Sequence, residues 1–364
     1  MRCVLDREIF AEALGTVVGV LPSRTTYPVF QNILLEIFNG RLAVTGTDGD
    51  TVVRKELKIE GESEDGRTLV EGRRLWELVQ TSQGGEVSLR SDEKMLKFES
   101  GRLKAALVQL APEEFPELPK MPDEVSFEFP LATLFEMFET VSFAASKDES
   151  RPVMTAVNWE VGKSEVRMVA TDGYRLVYVT RKLKVGAKTK LLLTPKAVAI
   201  LPKGEEKVLV FSDPKMVGFK LEDTTVISRM IEGPYPDYER VIPKGYGNRA
   251  VVGVGEFTQV LRRATILANP IAKQISLEFK PNGLTVRAEN VDVGKSEEEL
   301  DCQYQGEVLR VGFNGGYLLE ILRHINSEEM VIELSSPMAP VLFKPTDTKA
   351  DAEDLFVLMP LRLD

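Results

Sequence analysis

An internal repeat of about 121 residues, one third of the 364-residue chain, constrains the fold more than any other feature. Each third opens with apolar residues at positions i, i+3, i+4 and i+7, which predict a helix, and a shorter helical pattern follows halfway along it. A Thr-Asp-Gly sequence at 47–49 returns 124 residues later at 171–173. Because domains usually hold about 100–200 residues, this period predicts one domain-sized unit used three times.

The helical patterns also predict which side chains are buried, since a helix of a globular domain turns its apolar stripe toward the core. The faces of the opening helices are Phe10, Ala13, Leu14 and Val17; Leu131, Leu134, Phe135 and Phe138; and Phe257, Val260, Leu261 and Ala264. The faces of the second helices, which begin near Gly72, Pro195 and Gly315 or Gly316, are Leu75, Leu78 and Val79; Ala197, Ile200 and Leu201; and Leu318, Ile321 and Leu322.

Most of the remaining sequence alternates apolar and polar residues, which is typical of strands with one buried face. Residues 86–110 predict three successive strands. Asp48-Gly49, Asp172-Gly173 and Asn282-Gly283 predict two-residue hairpin turns of type I′, which need positive φ. In the last third Asn290 lies near the corresponding turn. The predicted fold class is therefore α+β, with antiparallel sheets and two helices in each unit.

Loops rich in proline, glycine and polar residues separate the thirds. They predict units at residues 1–121, 122–245 and 246–364. An aromatic or apolar residue before proline recurs near the end of each third, as in Phe115-Pro116 and Met359-Pro360.

Composition is that of an ordinary globular protein, with 43% apolar and 28% charged residues. The sequence has no run of about 18 apolar residues, so we expect no membrane span. Its first residues lack the apolar region of a secretory signal. Cys3 and Cys302 are too far apart in sequence for a zinc spacing and too few for a disulfide framework, so we expect a reduced, cytoplasmic protein.

The histidine content excludes several classes of enzyme. His324 is the only histidine, so multi-histidine metal sites are absent and any histidine-activated nucleophile would have to use it. It follows a helical pattern, where an imidazole interacts favourably with the helix C-terminus, and we interpret it as structural. No Gly-Lys-Ser or Gly-Lys-Thr phosphate-binding sequence occurs. We therefore predict neither a cofactor nor a metal.

Two features leave alternatives open. Asp172 can bond to the backbone of its own turn, which is a structural role, but a hydrolase using carboxylates such as Asp48 and Asp50 is the enzymatic alternative. The C-terminal sequence FVLMPLRLD at 356–364 is either a buried end strand or part of an exposed apolar groove. A scaffold that binds peptides but not DNA is a third possibility.

Five motifs together resemble the bacterial sliding clamp, the beta subunit of DNA polymerase III. They are APEEFPELP at 111–119, VATDGYRLV at 169–177, EGPYPDYERVIP at 232–243, FNGGYLLEIL at 313–322 and VLMPLRL at 357–363. The resemblance spans the chain. It implies three DNA-clamp units per chain and a head-to-tail homodimer that closes a ring around double-stranded DNA. Binding of the DNA would not depend on its base sequence. Such a ring keeps a polymerase on its template without any catalysis.

The resemblance also implies a groove between the second and third units. The replicative polymerase, the clamp loader and repair proteins bind there through short linear motifs. We expect apolar residues of the groove to receive a peptide's anchors and its arginines to bind polar groups at the rim. The matching residues are Met154, Thr171, Gly173, Tyr174, Arg175, Leu176, Pro236, Arg240, Val241, Tyr317, Val357, Met359, Pro360, Leu361 and Arg362.

The net charge of −10 argues against a simple nucleic-acid binder, but sliding needs only weak attraction to phosphates. By family position we expect Arg24, Arg73 and Lys196 to face the DNA. The implied subunit interface joins glutamates of the third unit to cations of the first around an apolar centre. Its residues are Arg74, Arg102, Lys104, Leu107, Ile266, Leu267, Glu297, Glu298 and Glu299.

Three residues depart from the family pattern. Tyr174 stands where many members have histidine, Ala105 replaces a larger apolar residue at the interface, and Asp364 follows the usual final leucine. We expect Tyr174 to alter only the shape of the groove, Ala105 to weaken ring closure and Asp364 to disfavour acidic peptides.

Overall fold

A computed structural model describes residues 1–204, 206–281 and 283–363, so the predictions for Asn282 and Asp364 lie outside the described residues. Within them the chain forms six α-helices and twenty-five β-strands, which confirms the α+β class. The helices are α1 (Arg7–Val18), α2 (Gly72–Thr81), α3 (Leu131–Ser142), α4 (Pro195–Ala199), α5 (Val254–Ile266) and α6 (Gly315–Leu322). The strands are β1 (Arg2–Asp6), β2 (Asn32–Phe38), β3 (Arg41–Thr47), β4 (Thr51–Lys58), β5 (Gly66–Glu71), β6 (Glu86–Ser91), β7 (Met95–Ser100), β8 (Leu103–Leu110), β9 (Val125–Pro130), β10 (Val157–Val161), β11 (Val166–Thr171), β12 (Arg175–Arg181), β13 (Thr189–Leu193), β14 (Lys207–Ser212), β15 (Met216–Lys220), β16 (Thr224–Arg229), β17 (Asn248–Gly253), β18 (Gln274–Lys280), β19 (Gly283–Asn290), β20 (Gly294–Leu300), β21 (Gln303–Gln305), β22 (Leu309–Asn314), β23 (Glu329–Leu334), β24 (Val341–Pro345) and β25 (Ala352–Leu358).

The helices follow the predicted repeat. α1, α3 and α5 open the three thirds, and α2, α4 and α6 begin at the predicted glycines and proline. The predicted helix faces are buried except at Leu78, Phe135 and Ile200, which are half-buried. The sequence predicts that Phe135 of α3 is buried, but the structure buries Met137 fully and Phe135 only in part. None of the helices in the described ranges is long and apolar enough to cross a membrane.

Side-chain caps fix where the helices begin. At the start of α1, Asp6 Oδ1 accepts hydrogen bonds from the N–H groups of Glu8 (2.8 Å) and Ile9 (3.0 Å). Asn314 Oδ1 caps α6 in the same way, at 2.9 and 3.3 Å. Each cap satisfies donors that the first turn leaves unpaired and contributes about 1 kcal/mol. The cap of α6 also fixes the position of Tyr317, one of the predicted groove residues.

The Thr-Asp-Gly hairpins do not form the predicted two-residue turns. Three residues separate β11 from β12, and φ is positive (91°) at Gly173 but not at Asp172. Thr171 Oγ1 donates to the carbonyl of Arg175 (2.6 Å) and accepts from the N–H of Gly173 (3.1 Å). Asp172 Oδ1 accepts from two further N–H groups, at 2.9 and 3.0 Å. The type I′ prediction is wrong because these side chains close a longer loop, and the same bonds recur at 47–51.

The chain packs as two compact packing units that differ from the sequence thirds. The first comprises Met1–Phe135 and Lys196–Ile231, and the second comprises Glu136–Pro195 and Glu232–Asp364. In the first, β4 pairs with β16, so strands from two thirds form one sheet. In the second, β12 pairs with β25 with the same effect. The middle third is therefore shared between the two packing units.

Three sheets contain the described strands, and the strand pairs that concern the site are antiparallel. α1 packs on β3 and β4 in the first packing unit, and α5 packs on β19 and β20 in the second. The strand orders are β1-β6-β7-β8-β5-β2-β3-β4-β16-β15-β14-β9 in the first packing unit, and β13-β10-β11-β12-β25-β24-β23-β17-β21 and β20-β19-β18-β22 in the second.

Candidate functional site

The C-terminal tail is bound through its backbone to two sheets of the second packing unit. β25 pairs with β12 along its whole length. The N–H of Met359 then donates to the carbonyl O of Tyr174 (2.8 Å), and the N–H of Leu361 donates to the carbonyl O of Gly312 in β22 (2.8 Å). The tail therefore leaves the nine-stranded sheet and reaches the edge of the four-stranded sheet.

The segment 232–247 covers one face of the sheet that contains β12 and β25. Its residues Tyr235, Ile242 and Tyr246 pack against a buried cluster to which Tyr238 belongs. Burial raises the pKa of Tyr246 to about 12 and raises that of Tyr235 as well. These rings are therefore neutral packing groups near neutral pH. The full cluster is Val169, Leu176, Tyr238, Leu342, Leu355 and Val357.

All fifteen predicted groove residues lie in the second packing unit, and their exposure differs. The exposed members are Gly173, Tyr174, Pro236, Arg240, Val241, Met359 and Arg362. The half-buried members are Met154, Tyr317, Pro360 and Leu361. The buried members are Thr171, Arg175, Leu176 and Val357. Of the fifteen, only the exposed members present their side chains fully to solvent.

Met154 lies beside the hairpin tip. Its Cε lies 3.5 Å from the position that a Cβ would take at Gly173. The positive φ of Gly173 (91°) disfavours any residue with a side chain, so the space beside Met154 stays unfilled. Backbone bonds hold Met154 in place, because its N–H donates to the carbonyl of Arg151 (3.0 Å) and its carbonyl accepts from Ser146 (2.8 Å).

Arg175 does not lie at the rim of the groove, which corrects the prediction for this residue. Its side chain is 7% exposed. Nε donates to Asp172 Oδ2 (3.2 Å), Nη2 donates to the carbonyl of Phe143 (2.8 Å), and Nη1 donates to the Glu320 carboxylate. The guanidinium also lies over the rings of Tyr317 (4.4 Å) and Phe143 (5.1 Å). Three of its five N–H donors are bonded within the chain and the side chain is buried, so its role is to brace the hairpin.

His324 belongs to the same support. It follows the end of α6, where its Nδ1–H donates to the carbonyl of Glu320 (2.8 Å). Its ring stacks on Phe143 with the centroids 4.1 Å apart and the planes 7° from parallel. The structural interpretation of His324 is confirmed. Sequence reasoning missed Phe143 and Glu320, because their role depends on a buried arginine that is distant in sequence.

The three predicted DNA-facing cations converge on one loop of the first packing unit. Lys196 Nζ donates to the carbonyl of Val20 (2.7 Å) and forms an ion pair with Asp48. Arg73 Nη2 donates to the carbonyl of Leu21 (3.0 Å). Arg24 follows in the same loop and is exposed. The loop lies at the C-terminal end of α1, where the helix dipole attracts cations.

The charge of the helices differs from that of the whole chain. The six helices carry six cationic and seven acidic side chains, so they are almost neutral. Most of the net charge of −10 therefore lies on strands and loops. Helices that face a polyanion need to be free of such an acidic excess, since phosphate repulsion would oppose binding.

Among the strand edges of the described residues, β8 and β20 each have one that is unpaired over most of its length. β8 pairs with β7 along its length but with β5 only at Gln109 and Leu110. β20 is the outer strand of the four-stranded sheet. Exposed strand edges carry unpaired backbone donors and acceptors and invite pairing with another chain.

The predicted interface residues lie at or near these edges. Lys104 is exposed on β8, and Ala105 points to the opposite, partly buried face. Glu297 and Glu299 are exposed on β20, whereas Glu298 is half-buried and accepts from Arg263 of the same packing unit at 3.0 Å. Of the remaining members, Arg74, Arg102 and Ile266 are exposed, and Leu107 and Leu267 are half-buried.

Asp48 and Asp50 do not form a catalytic pair. Asp48 Oδ1 accepts from the N–H groups of Asp50 (3.1 Å) and Thr51 (2.8 Å), and its other oxygen is paired with Lys196. Asp50 lies 3.5 Å from the Arg229 guanidinium. A general acid or base needs a free proton-transfer position near a substrate site. Both carboxylate oxygens of Asp48 are already bonded, one to backbone N–H groups and the other to Lys196, which favours a structural role for this residue.

Three family models match the chain. They are the N-terminal, central and C-terminal domains of the DNA polymerase III beta subunit, over residues 1–119, 128–237 and 239–362. Among curated proteins, the beta sliding clamps of Haemophilus influenzae and Escherichia coli are 30% and 27% identical to the chain, with 100% of both sequences covered.

Solved structures have the same fold over the whole chain. The DNA polymerase III beta subunits of Thermotoga maritima and Pseudomonas aeruginosa match with TM-scores of 0.94 and 0.93 at 25% and 27% identity, each covering 100% of both chains. The sliding clamp of Pseudomonas aeruginosa is also known bound to griselimycin. Since all three domains match in order, the chain belongs to the DNA polymerase III beta subunit family, the bacterial sliding clamps.

Proposed function

We propose that this protein encloses duplex DNA as a sliding clamp and that the groove of its second packing unit binds the proteins that it holds there. The observation that carries the groove is the C-terminal tail, which backbone bonds hold against Tyr174 and Gly312. The family consists of non-catalytic sliding clamps, so the hydrolase alternative is set aside. Function then comes from enclosure and docking.

The groove suits short peptides with apolar anchors. Tyr174, Val241 and Met359 are exposed together with Pro236, and a peptide side chain that covers them leaves water. Methionine adapts to differently shaped anchors, which suits several partners. Arg240 and Arg362 are the exposed cations for polar peptide groups. The proposed partners are the replicative polymerase, the clamp loader and repair proteins.

Deleting residues 359–364 tests the groove, because the deletion leaves β25 whole. We expect a fluorescent peptide from the clamp-binding segment of the polymerase to lose its affinity, while sedimentation shows an unchanged dimer. Val241→Ser should weaken the same peptide about tenfold, as a buried valine contributes on the order of 1.5 kcal/mol. Val308→Ser is the control, since Val308 is an exposed valine outside the predicted groove residues (61% exposed, against 41% for Val241). Undiminished affinity after the deletion refutes the site.

The DNA contact proposed for Arg24, Arg73 and Lys196 is weak and independent of sequence. Arginine and lysine attract phosphates without reading bases, which permits sliding. The test is retention of the protein, loaded by its clamp loader, on nicked circular plasmid during gel filtration. We expect linearisation to release it. Equal retention on both forms contradicts enclosure, and retention on neither form supports the scaffold that binds peptides but not DNA.

The proposed ring is a head-to-tail homodimer closed by two equivalent interfaces. The free edge of β8 carries cations and the free edge of β20 carries glutamates, so an edge of one copy complements the other edge of a second copy. Changing both Glu297 and Glu299 to lysine should produce monomers in sedimentation at low salt. A dimer of unchanged stability rejects this interface.

The clamp units at 1–121, 122–245 and 246–364 are proposed on the same basis, and the family matches at 1–119, 128–237 and 239–362 support them. A clamp acts where the chromosome is copied. The proposed location is therefore the cytoplasm.

A further inference from the structure

The connection between β12 and β13 is strongly cationic, although the chain carries a net charge of −10. Residues 173–204 contain eight lysines and arginines but no aspartate or glutamate. Four of the lysines lie within residues 182–190, which we call the lysine segment. They are Lys182, Lys184, Lys188 and Lys190. A run of one sign in a chain of the opposite sign concentrates positive potential at one place on the surface.

The lysine segment presents its charges on one side. Its four lysines are exposed, whereas Leu183, Val185 and Ala187 between them are half-buried. This alternation is that of an extended chain, in which side chains on one face recur about every 7 Å. Gly186 occupies the one position of the row without a lysine, and it is exposed with a positive φ of 78°. The segment is thus a row of ammonium groups interrupted by an open stretch of backbone.

The backbone of the lysine segment also has free hydrogen-bonding groups. β12 ends at Arg181 and β13 begins at Thr189. The N–H of Lys182 still donates to the carbonyl O of Asp351 (2.8 Å). Beyond it, no backbone–backbone hydrogen bond involves residues 183–188 in the part of the chain that the structure describes. Their N–H and C=O groups are therefore available to a chain laid along them.

The protein leaves much of the positive charge at this surface unneutralised. Lys184 and Lys188 form no ion pair within the described residues. Lys163, in the turn between β10 and β11, lines the same surface cavity of about 450 Å³ as Lys188. Two neighbouring parts of the chain thus bring cations to one cavity.

The acidic side chains at this cavity already have partners. Glu160 accepts from Lys190 Nζ (2.8 Å), and Glu165 accepts from Arg167 Nε (2.6 Å). They are the only carboxylates among the described residues that line the cavity. An anion that approaches Lys188 therefore meets no unpaired carboxylate there.

The chemistry of the lysine segment favours an acidic peptide over a nucleic acid. Nucleic-acid sites usually combine cations with arginine forks and with exposed rings on which bases stack. The lysine segment contains neither, and Arg181 before it is paired with Asp354 and Glu136. An extended peptide with a carboxylate at every second residue has the same period as the lysines. Lysines on an exposed extended chain also discourage pairing with neutral strands, which selects an acidic partner.

We propose that the lysine segment, together with Lys163, binds an extended acidic segment of a partner protein. The carboxylates of that segment pair with the unpaired lysines, and its backbone bonds to the free groups of residues 183–188. The groove residues Arg175 and Leu176 lie at the beginning of β12, about 20 Å along the strand from the lysine segment. The two sites are therefore separate, and the proposal rests neither on the groove nor on the ring.

Fluorescence anisotropy at low salt tests the proposal on the full-length protein. The probe is a labelled ten-residue peptide of alternating glutamate and threonine, and the same peptide with glutamine in place of glutamate is the neutral probe. We expect the double change Lys184→Gln and Lys188→Gln to weaken binding of the acidic probe about tenfold, because two ion pairs are lost. Added salt should weaken it as well, since these charges are exposed.

The double change Lys58→Gln and Lys220→Gln is the matched control. Both of these lysines are exposed on strands, and the net charge of the protein changes by the same amount. We expect the acidic probe to bind this variant as it binds the unchanged protein. Unfolding midpoints equal to that of the unchanged protein show that both variants are folded.

Three results would each overturn the proposal. The first is equal affinity of the acidic probe for the two double variants, and the second is equal affinity of the acidic and neutral probes for the unchanged protein. The third is tighter binding of a labelled ten-nucleotide oligothymidylate that is lost on changing Lys184 and Lys188, which assigns the segment to nucleic acid. The polymerase peptide should bind the same variant with unchanged affinity, so this test is independent of the groove.

Discussion

At the scale of single residues, the same turn sequence occurs twice, and its aspartate pairs with a different cation each time. Asp172 and Asp48 close identical Thr-Asp-Gly loops, and each also pairs with a cation. Arg175 is buried against Tyr317 and braces the hairpin. Lys196 keeps part of its side chain in water, so it remains available to phosphates. Local sequence sets the loop, and the surrounding structure decides what its aspartate holds.

The brace predicts a role for Glu320, which lies outside the groove. Glu320→Gln removes a charged partner of the buried Arg175, and hydrogen bonds to charged groups contribute about 1.5–3 kcal/mol. We expect a lower unfolding midpoint and weaker peptide binding. Glu128→Gln is the control, because its partner Lys207 is exposed and such pairs contribute about 0–1 kcal/mol. Peptide affinity equal in both variants contradicts the brace.

Both cysteines should be unreactive in the folded protein. Burial raises the pKa of Cys3 to about 12 and that of Cys302 to about 11, so both stay protonated at pH 8. We expect almost no labelling by a thiol reagent at pH 8 and two labels after unfolding. Because the folded pKa values lie above the unfolded value, the associated stability is complete below about pH 8.5 and declines above it. Rapid labelling of folded protein contradicts this burial.

At the scale of elements, the C-terminal tail connects two sheets through a close backbone contact. Leu361 bonds to Gly312 on β22, and the Gln274 side chain donates to the carbonyl of Arg362 (3.1 Å). A Cβ at Gly312 would stand 2.7 Å from the Leu361 carbonyl O. Glycine is therefore required at this position by the tail rather than by its own backbone conformation.

Gly312→Ala should displace the tail and weaken peptide binding. Overpacking of this kind costs about 1–3 kcal/mol, so we expect a loss of affinity of about tenfold or more in fluorescence anisotropy. Gly255→Ala is the matched control. A Cβ there meets nothing within 4 Å, and alanine suits the helix α5 better than glycine. Equal affinities in the two variants mean that the tail does not shape the groove.

At the scale of the whole molecule, the negative charge is spread unevenly over the chain. The chain carries a net charge of −10, but its helices are almost neutral and three cations gather at the end of α1. In the proposed clamp, the acidic strands and loops repel unrelated nucleic acid, and the cations at the end of α1 attract the enclosed duplex. This arrangement answers the objection that net charge raises against DNA binding.

Arg24→Ala should reduce the salt dependence of DNA binding. Each phosphate contact contributes about −0.9 to the slope of log K against log salt, so loss of one contact at each of the two copies should reduce the slope by about 2. Lys97→Ala is the control, because Lys97 lies on the exposed face of β7. Equal slopes for the two variants, measured on nicked circular DNA, remove Arg24 from the DNA contact.

Sequence alone reached much of the fold. The helix starts, the strands of residues 86–110 and the burial of Phe10 or Phe257 followed from periodicity, which depends only on nearby residues. The turn length at Asp172 did not follow from the sequence pattern, because hydrogen bonds from the side chains of Thr171 and Asp172 close a longer loop. The rim position of Arg175 was also wrong, since a cation's burial depends on partners distant in sequence.

The sequence by itself determined a threefold α+β repeat, because apolar periodicity and turn residues act over short distances. Only the tertiary structure decided that β4–β16 and β12–β25 pairing divides the middle third between two packing units. It also decided that the tail passes from one sheet to the next. Strand edges are chemically alike along their backbones, so their pairing is chosen by the packing of whole faces and not by any local signal.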